Sequence, residues 1–266
     1  MDLTPYLARN GEKPLETIVA DGGFFKIFRT VGCIGDSLSS GEFQSLSEES
    51  LCPGFHDFYE YSWGQYMARE AGVTVYNFSR GGMTASEYID RFADQNGFWD
   101  EDKLCQCYII ALGVNDIFNQ KKELGSVSDI DLSNFYQNKR TFAGDYARII
   151  QKLKTMQPKA KFFLMTMPKS DNQAENVLSQ KHAELLYGMA DMFKYTYVLD
   201  FYKYAPVYDS EFKRNFYLDG HLNPAGYVLT AKMVMSYIDF IIRNNPEDFA
   251  QVCFIGKPYH NCRAKW

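Results

Sequence analysis

Five near-continuous apolar runs, at residues 30–35, 73–78, 107–112, 161–166 and 197–201, constrain this chain more than any other feature. A strand with one solvated face alternates apolar and polar residues, whereas a strand covered on both faces does not. Helical patterns fill the intervals. The segment 62–70 runs into Gly72, placed as a C′ glycine. "TASEYIDRF" opens with Thr84 and Glu87 in capping-box spacing. A longer helix carries Phe135, Phe142, Tyr146, Ile149 and Leu153 on one stripe, and a fourth covers about 176–192. The last helix starts in "HLNPAGY", with Asn223 as N-cap, Pro224 at the first helical position, and a stripe of Tyr227, Ala231, Val234, Ile238 and Ile241. Alternating strand and helix predicts an α/β protein: a three-layer α/β/α sandwich around a parallel sheet, with right-handed crossovers.

Residues 1–266 read as one domain, without repeats, low-complexity tracts or a linker. "ETIVADGGFFKIF" predicts an N-terminal hairpin over about 15–29 at a sheet edge, turning at its glycines. A tail over about 244–266 holds too few apolar residues for another layer, and could lie across the sheet or helices or make a dimer contact. The formal net charge is −5, so no basic field attracts nucleic acid or an anionic membrane. The start of the chain has no apolar leader core, and no segment reads as a membrane span, so a soluble, cytoplasmic protein is expected. Cys33, Cys105 and Cys107 sit in apolar runs as small hydrophobes, and no metal site is legible. Whether the chain forms homo-oligomers is open.

In an open α/β sheet, ligands bind beyond the carboxyl ends of the strands, so the residues there matter most. The first strand ends in "VGCIGDSLSSGEF", which places Ser37 at its carboxyl end. A serine there can cap a helix or serve as a nucleophile. After the second strand comes "NFSRGGMT", with Gly81 and Gly82; after the third, "ALGVNDIF", with Asn115 in the loop; and "DGHLNPAGY" sets His221 beside the final helix. Singly, a glycine pair relieves a tight turn and a loop Asn makes an Asx-turn. Together they set a hydroxyl, a base and two oxyanion donors at one mouth of the sheet.

With these four blocks in this order, the chain resembles the SGNH, or GDSL-type, serine hydrolases; "GDSL" itself stands at 35–38. The resemblance runs from the first strand to the last helix. It implies a flavodoxin-like sheet of strand order 2-1-3-4-5 and a serine esterase without metal or organic cofactor. It implies Ser37 as nucleophile and His221 as general base, with the Gly82 N–H, the Asn115 side-chain amide and the Ser37 N–H as oxyanion donors. A hydroxyl becomes nucleophilic when a base takes its proton, and fixed donors stabilise the charge that develops on the carbonyl oxygen.

One position departs from the family pattern. The aspartate expected three residues before the histidine is replaced by Leu218, and Asp219 stands one residue nearer. Asp219 could orient the imidazole as third member of a triad, a backbone carbonyl could do so in a Ser–His dyad, or Asp209 could substitute. His56, in the aromatic stretch "CPGFHDFYEYSW" within a long loop at 39–61, is expected near a pocket wall; His182 is expected on a helix surface, and His260 lies outside the blocks. The resemblance implies hydrolysis of small oxygen esters, with carbohydrate O-acetyl or short-acyl esters as candidates. A second reading is a catalytically weak binding protein for carbohydrate or ester on the same fold. A nucleotide-binding flavodoxin is disfavoured, since neither G-x-G-x-x-G nor G-x-x-x-x-G-K-[ST] follows the first strand.

Overall fold

A computed structural model describes residues 6–45 and 54–256, together with Met1 and Leu3. Its strands are β1 (Thr30–Gly35), β2 (Glu42–Ser45), β3 (Gly54–Asp57), β4 (Thr74–Asn77), β5 (Cys107–Ala111), β6 (Lys161–Met165), β7 (Thr196–Leu199), β8 (Tyr217–Leu218) and β9 (His221–Leu222). The central sheet runs β4-β1-β5-β6-β7, and all its pairs are parallel. Numbered among themselves, the five apolar runs take the expected order 2-1-3-4-5. β2–β3 and β8–β9 are separate antiparallel pairs.

The unbroken apolar runs follow from burial on both faces. Side chains alternate across a strand, so Tyr108 and Ile110 join one core while Cys107 and Ile109 join the other. The first core packs the helices Phe142–Met156 and Gln173–Met192 through Tyr146, Ile150, Leu186 and Met189. The second packs Trp63–Ala71 and Pro224–Asn244 through Met67, Val234 and Ile238. The predicted caps form. Gly72 closes its helix at φ 67°, Thr84 Oγ1 accepts from Glu87 N, and Asn223 Oδ1 accepts from Gly226 N at 2.9 Å; Ser62, for which no cap was expected, also accepts from Gln65 N.

Four expectations need correction. The segment 15–29 is not a hairpin. Asp21, Gly22 and Gly23 all have positive φ, which a two-residue hairpin turn does not combine in this way, and Gly23–Ile27 then forms a 3-10 turn. This turn docks on the last helix: Phe24 N donates to Asp239 Oδ1 at 2.8 Å, and Phe25 and Phe28 are buried. Phe135 belongs to a separate turn, Phe135–Gln137, because Thr141 caps a helix that starts only at Phe142. His182 is fully buried beneath the loop after β5, not on a helix surface. One helix is also long and apolar enough to cross a membrane. Pro224–Asn244 is that helix, and most of its apolar stretch is buried within the protein, so its apolar character is core packing.

The described part of the tail packs under the amino ends of the strands, opposite the site. Phe249, Val252 and Ile255 are buried there, Phe249 lies 6.3 Å from the Phe28 ring, and Gln106 Nε2 donates to Val252 O at 2.7 Å. The remainder of the tail, with His260, lies outside the described residues, as do positions 46–53 of the loop at 39–61.

Candidate active site

The parallel register brings three strand ends level, with Gly35 of β1 opposite Ala111 of β5 and Phe78 N donating to Cys33 O. The chain leaves β1 through Asp36, which caps the single-turn helix Ser37–Ser40 by accepting from Leu38 N at 3.1 Å. Ser37 is thus the first residue of a helical turn, where the backbone N–H has no intrahelical acceptor. Its hydroxyl is not consumed by capping, since Asp36 does that work.

The glycine loop is tied to the same strand end. Ser79 Oγ donates to Cys33 O, Arg80 N to Gly35 O, and Met83 N closes a turn to Arg80 O. Gly82 sits inside that turn at φ 70°, the left-handed region where a side chain is strained. Among the described residues no acceptor is seen for its N–H. Asn115 opens the helical turn Asn115–Asn119, and its amide orientation is set by a hydrogen bond from Asn119 Nδ2 to Asn115 Oδ1 at 2.7 Å. The Nδ2 side is left with long contacts, 3.3 Å to Met83 O and 3.5 Å to Asp36 Oδ2. The fully buried Asp116 accepts Ala85 N with both oxygens at 3.1 Å, locking the asparagine turn to the helix after the glycine loop.

Ser37, Gly82, Asn115 and His221 line one cavity of about 570 Å³. Its walls include Leu112, Phe118, Met165, Met167 and Tyr208, with Lys213 and Glu175 among the polar groups. Four segments distant in sequence therefore meet at one mouth. No hydrogen bond joins Ser37 Oγ to His221 among the described residues. Unliganded sites often hold such contacts long, and they tighten when substrate binds.

The acid beside His221 is not one that sequence reasoning named. His221 Nε2 lies 3.1 Å from Glu42 Oε1, and Nδ1 is buried with no partner among the described residues. Asp219 instead occupies the tight turn of β8–β9 at φ 55°, exposed, with no hydrogen bond to the imidazole; it reaches the ring only through its field. The shortened spacing thus puts this acid in the turn itself, exposed, rather than on a strand beside the imidazole. Asp209 caps the helix Ser210–Phe216 through Phe212 N at 2.9 Å. Glu42 was missed because it belongs to the nucleophile's own block, and only the return of β2 toward β9 brings it to His221. The loop expected at the pocket wall does contribute, through Phe55 rather than His56. Phe55 packs edge-on to His221 with ring centroids 5.4 Å apart, while His56 Nε2 pairs with Ser45 Oγ.

Burial holds the His221 pKa below the usual 6.5, against the opposing fields of Asp219 and Asp57. Burial raises Glu42, and Asp57 adds to that. Asp36 is pushed up to about 7 by burial, with Asp116 and Glu42 adding to the shift, and burial pushes Asp116 up to about 6. The imidazole is therefore neutral at neutral pH, the state a general base needs. Among the described residues no group of three or more His, Cys, Asp or Glu side chains could hold a metal ion.

A family model described as "GDSL-like Lipase/Acylhydrolase family" matches residues 33–229. Among solved structures, the chain is similar to a family two carbohydrate esterase from Clostridium thermocellum in complex with cellohexaose, at 16% identity and TM-score 0.56, covering 89% of this chain and 66% of that one. It is similar to a family two carbohydrate esterase with a carbohydrate-binding domain from Corynascus thermopiles, at 15% identity and TM-score 0.55, covering 79% and 65%. It is also similar to Est24, a carbohydrate acetylesterase from Sinorhizobium meliloti, at 17% identity and TM-score 0.52, covering 80% and 99%. At these identities the likeness is one of fold, and the chain spans about two thirds of the length of the first two. The comparison with curated proteins finds no match. The family match covers most of the chain and contains all four blocks, so this protein belongs to the GDSL-like lipase/acylhydrolase family.

Proposed function

We propose that this protein is a serine esterase that hydrolyses small oxygen esters through an acyl-enzyme, with O-acetyl or short-acyl esters of carbohydrates as the substrate class. The observation that carries the reading is the convergence of Ser37, His221, Gly82 and Asn115 on one cavity. Ser37 Oγ attacks the ester carbonyl as His221 takes its proton. The carbonyl oxygen gains charge facing the N–H groups of Ser37 and Gly82 and the Asn115 amide. Collapse expels the alcohol, which takes the proton from His221; water then repeats the cycle and releases the acid. Three such donors act on charge that exists only in the transition state and its neighbours, so they lower the barrier without tightening substrate binding.

The cavity volume exceeds what an acetyl group alone fills, and its apolar walls with a few polar groups suit a sugar ring or a short acyl chain. Phe55, 63% exposed at the mouth, offers an apolar face to a sugar. The partner is therefore a small-molecule ester. A turnover screen of acetylated sugars against p-nitrophenyl esters of increasing chain length tests the substrate class. Labelling by a fluorophosphonate tests the nucleophile, with wild type labelled and Ser37→Ala not. An unlabelled wild type would favour the binding-protein reading, for which the open Ser37–His221 contact is the supporting observation.

A further inference from the structure

We infer that Glu42, from the nucleophile's own block, is the positioning carboxylate of the base His221, in place of the aspartate that the histidine loop lacks. This rests on the esterase reading above. Several independent contacts build the arrangement. Glu42 Oε1 lies 3.1 Å from His221 Nε2, and their side chains are only 15% and 14% exposed. The strand that carries Glu42 is fixed to the elements around His221: Tyr227 Oη, from the last helix, donates to Glu42 O at 2.7 Å, and Gly220 N donates to Gln44 Oε1 at 3.2 Å. Phe43 packs on Tyr227 with centroids 5.2 Å apart. The other carboxylate oxygen lies against Gly81, where a Cβ would come within 2.1 Å of Oε2. A side chain at position 81 would push this carboxylate out of its present place.

The chemistry follows from which nitrogen the carboxylate engages. Glu42 holds the proton on Nε2, which leaves the buried, unpartnered Nδ1 with the open lone pair. Nδ1 accepts the Ser37 proton as the Oγ–carbon bond forms and the carbonyl electron pair moves to oxygen. The imidazolium keeps Nε2–H on Glu42. Nδ1 then returns its proton to the leaving alcohol as the carbon–oxygen bond breaks. The other charged and titratable groups facing the pair are Asp57 from β3, Asp219 from the β8–β9 turn, Asp36 after β1, and the hydroxyls of Tyr217 and Tyr227. None of them reaches a ring nitrogen.

The experiment compares wild type, Glu42→Gln, Glu42→Asp and Asp219→Asn by kinetics across pH and by ¹⁵N NMR of the histidine rings without substrate. Loss of an orienting carboxylate costs up to about 10⁴-fold in turnover in well-studied triads. Glu42→Gln is expected to lose roughly 10²- to 10⁴-fold, mostly in kcat, with the acid limb of kcat/KM moved to lower pH. Glu42→Asp is expected to recover part of the loss, and Asp219→Asn to lose less than Glu42→Gln. The His221 ring is expected as the Nε2–H tautomer in wild type and as a mixture in Glu42→Gln. A Nδ1–H tautomer in wild type, a Glu42→Gln enzyme as fast as or faster than wild type, or a larger loss in Asp219→Asn would each overturn the assignment. If wild type hydrolyses no ester, the functional reading falls, while the tautomer measurement still decides whether Glu42 holds the ring.

Discussion

Asp36 offers a quantitative test of how this site is built, because its charge is buried by the same geometry that presents Ser37. The carboxyl is 5% exposed, caps the Ser37 turn through Leu38 N, and shares its surroundings with Asp116 and Glu42. Burial moves its pKa from 3.8 to about 7. The native state therefore holds a proton that the unfolded chain releases, and stability must fall as pH rises between those two values. About three pK units at 1.36 kcal/mol each put the total at about 4 kcal/mol, fully present below pH 4 and lost above pH 7. The variant Asp36→Asn keeps an oxygen to accept Leu38 N and cannot ionise. Asparagine caps as well as aspartate. Its amide would meet Asn115 Nδ2 where the second carboxylate oxygen now lies 3.5 Å away, a cost that does not change with pH. Urea unfolding of both proteins at several pH values from 4 to 8.5 supplies the assay. The stability difference, wild type minus variant, is expected to fall by about 4 kcal/mol across that range, somewhat less where Asp116 readjusts once its neighbour is neutral. Parallel stability curves would refute the reasoning, since they would mean that Asp36 ionises in the folded protein as it does in water.

Three further outcomes follow from the same structure. Asn115→Ala removes one of the proposed oxyanion donors and is expected to lower kcat by roughly 10²- to 10³-fold with KM little changed, measured on the best ester of the screen. Ser37→Ala is expected to abolish both turnover and fluorophosphonate labelling while leaving the melting temperature near wild type, since Asp36 and not Ser37 caps the turn. Arg243→Ala breaks the ion pairs that clamp Glu12 and Asp239, at 2.6 and 2.8 Å, and strands two carboxylates that are under a tenth exposed. It is expected to cost about 3–5 kcal/mol by urea unfolding and to release the N-terminal segment to protease.

Much of this molecule was legible in its sequence because the determinants are local. A parallel strand buried on both faces must be apolar throughout, so 30–35 and 107–112 declared both their conformation and their place. Caps such as Thr84 and Asn223 satisfy donors within three residues, and glycine at Gly72 and Gly82 meets a positive φ in the backbone itself. The four blocks fell at strand ends, where an open sheet gathers its chemistry. Local pattern misled where the same residues serve a distant contact. The glycines at 22–23 fit a hairpin turn in sequence, but Gly23 leaves no room for a side chain against Asp239, and the phenylalanines that follow enter the core at helical spacing.

The sequence by itself thus determined the layered architecture, the strand order's elements and the four segments that face one mouth, because hydrophobic period and turn chemistry act over a few residues. Only the tertiary structure decided which carboxylate meets His221. Asp219 is near in sequence yet exposed in the turn without a hydrogen bond to the ring, and Glu42 is far in sequence yet 3.1 Å away. A hydrogen bond depends on direction and distance in space. The β2 and β9 strands that set both are brought together by contacts that Tyr227 and Gln44 make across the fold.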